Sequence, residues 1–155
     1  MSTRQLVSRV LWTTMGAAAI LATGCATTMH TKVPVSLSGA QEVPPVTTSA
    51  SGTVDMVVHS FKCPSALSSD NCPTLFGTVT TQGIKATSVE IRRGAPGQNG
   101  PIVATLQQLD DDNWTVPSGT ALSPSEYDAY KSGQLYVNVD TASNRSGELR
   151  AQLRP

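Results

Sequence analysis

Histidine is almost missing from this chain: 155 residues contain only His30 and His59. A Ser–His–Asp relay has no credible histidine to work through, and nothing resembles a Gly-x-Ser-x-Gly elbow. Aromatics are scarce at 5% and charged residues make up only 14%, whereas a helical bundle would draw on more Leu, Glu and Lys. Positive charge is not in excess either. Basic and acidic residues number 11 each, and without residues 1–24 the balance becomes nine to eleven. That is no footprint for nucleic acid. No apolar run reaches the ~20 residues that a membrane-spanning helix needs, since the longest, residues 10–22, is much shorter. No segment repeats, and the length suits one domain behind a leader.

What the chain does have is a tripartite start. Arg4 and Arg9 precede the uncharged stretch 10–22, and Thr23-Gly24-Cys25 follows as a small-residue cleavage region. The run Leu21-Ala22-Thr23-Gly24-Cys25 resembles the lipobox of bacterial lipoproteins, with Leu21 one place further from the cysteine than usual. The resemblance implies removal of residues 1–24 and acylation of Cys25, the thiolate being the best alkyl acceptor available. It also implies palmitate or similar chains anchoring the protein to a membrane, several chains being needed for firm attachment. Residues 25–32 then read as a lipidated tether. Ala26, rather than aspartate, follows the cysteine, which favours the outer membrane, facing the periplasm.

Cysteine count agrees with export. With Cys25 lipidated, Cys63 and Cys72 remain as a pair around the turn-rich segment 64–71. A disulfide between them suits an oxidising periplasm, whereas a metal site would need more ligands than the nearby His59.

Residues 33–155 alternate short β-like runs with turn clusters. Candidate strands cover 33–38, 52–61, 74–81, 86–92 and 102–109. The segment 39–50 is excluded from a central strand by Pro44-Pro45. Asp110-Asp111-Asp112-Asn113 reads as a solvated turn, lacking the spacing and the glycine of a calcium loop, with Trp114 at the core edge beyond it. Ser123, Pro124 and Glu126 form the opening of a short helix with a capping box, closed by Gly133. Leu135, Val137 and Val139 alternate with Tyr136, Asn138 and Asp140, and Leu149, Ala151 and Leu153 with Glu148, Arg150 and Gln152. This predicts a half-buried antiparallel hairpin. About seven to eight short strands and one inserted helix make an all-β sandwich or closed barrel.

Three stretches resemble the signatures of the CHRD domain, named after chordin. They are Leu37-Ser38-Gly39-Ala40-Gln41-Glu42-Val43-Pro44-Pro45-Val46, Asn99-Gly100-Pro101-Ile102-Val103-Ala104-Thr105-Leu106, and Tyr136-Val137-Asn138-Val139 with Gly147-Glu148-Leu149-Arg150-Ala151-Gln152-Leu153. The resemblance implies an Ig-like antiparallel β-sandwich in a secreted or envelope protein, without an established catalytic activity. CHRD domains usually carry a His-x-His pair and a third histidine where this chain has Glu90, Arg92 and Asp140. Arginine does not ligate metals, so no metal and no cofactor is expected. Instead, Glu90, Arg92, Asp140, Glu148 and Arg150 are read as an ion-pair cluster, with Asp140 opposite Arg150 or diagonal to it. The alternative is a set of separate solvated charges.

The reading is therefore a non-catalytic envelope lipoprotein, a binding or structural module whose partners are the membrane and an unidentified protein or envelope component. The alternative is a periplasmic metal-binding or redox protein with an altered histidine site.

Overall fold

The computed structural model describes residues 34–63 and 71–155. The leader and the whole tether, with Cys25 and His30, lie outside the described residues, as do residues 64–70 of the 63–72 loop. The strands are β1 (Val35–Leu37), β2 (Ser51–Lys62), β3 (Asn71–Gln82), β4 (Ala86–Arg93), β5 (Ile102–Thr105), β6 (Gln107–Gln108), β7 (Asn113–Thr115), β8 (Leu135–Thr141) and β9 (Leu149–Gln152). Among the described residues one α-helix, α1 (Pro124–Lys131), sits between β7 and β8. Two antiparallel sheets result, ordered β1-β2-β3-β7-β6 and β5-β4-β8-β9. This is an all-β sandwich with one short helix. Among the described residues no helix is long and apolar enough to cross a membrane.

Period-two alternation builds the core between the sheets. Val54 and Met56 of β2, Leu75 and Val79 of β3, Val89 and Ile91 of β4, and Val137, Val139 and Leu149 of the last strands are all buried together. Each such side chain withdrawn from water contributes roughly 1.5–3 kcal/mol. The long β2–β3 ladder runs without a break from Ser51↔Gln82 to Lys62↔Asn71. At its far end Cys63 and Cys72 are bonded, with Cα atoms 5.1 Å apart. The bond closes a loop with a sequence separation of 9. On loop-closure entropy, replacing both cysteines with serine should cost about 2–3 kcal/mol, measurable as a lower urea midpoint with an unchanged m-value.

α1 begins as its residues predict. Ser123 Oγ accepts from the Glu126 N–H at 3.3 Å, and the Glu126 carboxylate accepts from the Ser123 N–H at 2.7 Å. Gly133 then takes φ +66°, a left-handed turn that ends it.

Two expectations need correcting. The run 102–109 is not one strand: Leu106 is buried and donates its N–H to Val89 O, so the chain leaves one sheet at β5 and enters the other at β6. Trp114 does not sit beside the core edge as a cover but lies buried within β7, paired with Val79.

Candidate functional site

The closing hairpin is not half-buried. All seven residues of β8 are buried, the polar parity included. The reason is that two loops cover the outer face of this sheet. Residues 39–46 fold over it after β1, and residues 94–101 fold over it after β4. Ser38 holds the first loop down by exchanging backbone hydrogen bonds with Arg150, both at 3.1 Å. Gly100 seats the second, because its backbone lies so close to the Arg93 carbonyl that any Cβ there would collide with it.

Strand register lines up the covered side chains in rows. Arg92 stands opposite Tyr136, which stands opposite Gln152. Glu90, Asn138 and Arg150 form the next row, and Ser88 and Asp140 the one after. Asn138, rather than Asp140, is therefore the direct partner of Arg150, and Asp140 is its diagonal neighbour.

Within this array the charges make separate arrangements. Glu90 Oε2 accepts from Arg92 Nη2 at 2.6 Å and from its Nε at 2.7 Å. Asn138 Nδ2 donates to Asp140 Oδ1 at 2.6 Å. Burial, and then the neighbouring Glu90 carboxylate, push the Asp140 carboxyl above its usual range, while Arg92 opposes them. Arg150 turns toward the 94–101 loop. Its guanidinium donates to Asn99 Oδ1, Ala95 O, Gln98 O and Gln152 Oε1 at 3.0–3.1 Å, and lies 3.6 Å above the Tyr136 ring centre. Only 1% of Arg150 is exposed, and that burial lowers its pKa.

The expected ion-pair cluster of five does not form. Among the described residues only Glu90 and Arg92 of the set are ion-paired, because Arg150 is drawn to the loop carbonyls. Glu148 lies apart from the rest. Its carboxylate accepts from Thr141 Oγ1 at 2.7 Å, Thr48 Oγ1 at 2.8 Å and Asn144 Nδ2 at 3.0 Å. The hydrogen bond from Thr141, aided by those from Asn144 and Thr48, holds its carboxyl below the usual range. This set closes the β8–β9 turn and anchors residue 48. Asp110 acts in the same way in its own turn, accepting from the Asp112 and Asn113 N–H groups and from the Asn113 side chain.

Sequence reasoning missed the residue that matters most here. Glu42 is 4% exposed and its Oε1 has no hydrogen-bond partner. Burial pushes its pKa up to about 7, against the pull of the Arg150 charge. Gly147, at φ +128°, makes room for it: a Cβ there would lie 2.6 Å from Glu42 Oε1 and 2.7 Å from Asn138 Oδ1. With Glu42 protonated, Glu90, Arg92, Asp140 and Arg150 balance to zero charge, as a dry site demands. The available signal was the position of Glu42 inside the opening signature, which carried no periodicity to mark it as buried.

The signatures meet at this place. Asn99 joins two of them by accepting from Arg150 and donating its Nδ2 to Val43 O at 2.7 Å, and Gly100 N–H donates to the Tyr136 hydroxyl at 3.1 Å. A family model for the CHRD domain matches residues 33–153. The chain belongs to the CHRD domain family. No curated protein and no solved structure matches it.

Glu90, Arg92 and Asp140, where the resemblance implied histidine, stand close enough to sense one another's charge, but their chemistry does not fit a transition metal. The Arg92 guanidinium occupies the Glu90 carboxylate, the place a cation would take. Among the described residues no group of three or more His, Cys, Asp or Glu side chains is arranged to hold a metal ion. Beside these residues, the two covering loops leave a groove of about 420 Å³ lined by Glu42, Val43, Pro45, Pro96, Arg150 and Gln152.

Proposed function

We propose that this CHRD domain is a non-catalytic binding or structural module of a bacterial cell envelope, lipid-anchored through Cys25 and facing the periplasm from the outer membrane. The observation that carries the proposal is the Cys63–Cys72 bond. It removes both other thiols, so Cys25 is the single unpaired cysteine in the chain, and it sits behind an apolar leader at a small-residue cleavage region. Disulfides persist in oxidising compartments, in keeping with export.

The covered face supports a binding role over a catalytic one. Glu90 is paired with Arg92, Asp140 accepts from Asn138 and Arg150 donates to loop carbonyls, so these groups serve to hold the loops down; Glu42 Oε1 alone has no hydrogen-bond partner. The groove between two proline-bearing loops offers a preformed concave surface, the usual shape of a ligand site.

Metabolic labelling with a radioactive fatty acid tests the anchor. The wild-type chain should carry label and sediment with the envelope, and Cys25→Ala should lose roughly tenfold or more of both, since acyl chains supply the membrane affinity. Recovery of the uncut precursor from the cytoplasm, with Cys63 and Cys72 reduced, would refute the proposal.

A further inference from the structure

Three rings cluster on the solvent side of the sandwich, far from the buried polar face. His59, Phe61 and Phe76 lie with ring centres 5.8–6.2 Å apart. They come from the outward parity of β2 and β3, near the disulfide end of the ladder, where Phe61 stands opposite Cys72 and half-buried Val57 stands opposite Phe76. Phe61 is 52% exposed and Phe76 38%, an expensive arrangement for two aromatic side chains in water.

Chain direction says what covers them. β1 is antiparallel to β2, with Val35 opposite Val54. The polypeptide therefore enters β1 from the side toward which β2 runs, the side of Phe61. From Val54 to Phe61 is seven residues, about 23 Å of strand. From Cys25 to Val35 is ten residues, a contour of at most about 33–36 Å. A lipid on Cys25 thus enters the bilayer within reach of the ring cluster. The chain from Cys25 onward has nine basic and eleven acidic residues, so contact with a bilayer would rest on the rings and the lipid rather than on charge.

We propose that His59, Phe61 and Phe76 form the face with which the domain rests on the bilayer, the rings seated among the lipid headgroups and the groove turned away. This rests on the lipid-anchor reading of Cys25. At that boundary Phe61 and Phe76 would bury their apolar rings while His59 keeps its polar edge in water.

The test uses the membrane-extracted protein reconstituted into phosphatidylcholine vesicles with brominated acyl chains, which quench tryptophan on contact. Trp114 is buried, and Trp12 lies in the leader. A Phe61→Trp variant should lose about half or more of its added fluorescence in these vesicles, as for a ring at the interface. Leu109→Trp supplies the control, being 60% exposed and placed in the turn before β7, which pairs toward the opposite end of β3. It should be unaffected. Equal quenching at both positions, or none at position 61, would overturn the proposal. An unquenched Phe61→Trp variant that sediments as a dimer would reassign the rings to self-association.

Mass spectrometry of the same sample reports lipid on Cys25, which separates the two readings. If Cys25 is bare, the same variants are coupled through that one free thiol to a maleimide lipid in the vesicles. Quenching of the Phe61→Trp variant in that setting upholds the ring face while the native anchor falls. Native lipid with an unquenched indole at position 61 does the reverse.

Discussion

Glu42→Gln should leave stability nearly unchanged at pH 4 and raise it by about 2–3 kcal/mol at pH 8, read as the difference in urea unfolding between variant and wild type at each pH. The sign follows from linkage. The carboxyl has a pKa of about 7 in the folded protein against an ordinary 4.5. Below pH 4.5 both states are protonated and the group is neutral in its effect. Between 4.5 and 7 the unfolded chain ionises while the folded one resists, so this group's contribution is progressively lost, and above 7 the loss is complete. The full shift would correspond to roughly 3.4 kcal/mol, reduced somewhat because the residue lines the groove and is only partly withdrawn from solvent.

Glutamine keeps the shape and discards the ionisation. The Asp140 carboxyl is also pushed up, chiefly by burial, and its charge is one of the causes that raise the Glu42 pKa, whereas Glu148 is pulled down by its own hydrogen bonds. The difference between variant and wild type therefore reports Glu42 together with its repulsion by Asp140. A difference that stays flat from pH 4 to pH 8 would mean that the carboxyl is better solvated than its 4% exposure indicates.

Much of the frame was legible because period-two alternation is strong where strands are long. Val54, Met56, Leu75 and Val79 mark their own inward face, and Ser123 with Glu126 announces the helix. The site was legible only in part. Glu90, Arg92 and Asp140 were singled out by the family resemblance, and their shared face follows from parity. Burial of that face was not legible, since Tyr136, Asn138 and Asp140 are the residue types of a wetted strand. What buries them is tertiary: two loops with no periodicity of their own, pinned by Asn99 and by the Ser38–Arg150 bridge. Glu148 was misplaced for a related reason. Parity put it on the polar face, whereas Thr48, Thr141 and Asn144 draw its carboxylate into the turn.

Arg150→Ala should cost about 3–5 kcal/mol at pH 7, the largest loss expected from any single change on this face. The guanidinium supplies donors to two loop carbonyls and two side-chain oxygens, and its plane fills the space over Tyr136. Removing it strips Ala95 O and Gln98 O of a charged donor and leaves a void over Tyr136, each effect worth roughly 1–3 kcal/mol. Arg150→Lys keeps the charge but not the planar fork, and should recover less than half of the loss. Hydrogen exchange locates the damage: the Gly100 amide, bonded to the Tyr136 hydroxyl, should exchange about tenfold faster or more, while the amides of β8 facing β4 stay protected. The two changes are coupled through charge, because Arg150 exerts the main pull holding the Glu42 pKa down. Without it Glu42 resists ionisation still further, so Glu42→Gln should restore more stability at pH 8 in the Arg150→Ala background than in the wild type. Strict additivity of the two substitutions would show that the arginine and the buried acid do not sense each other.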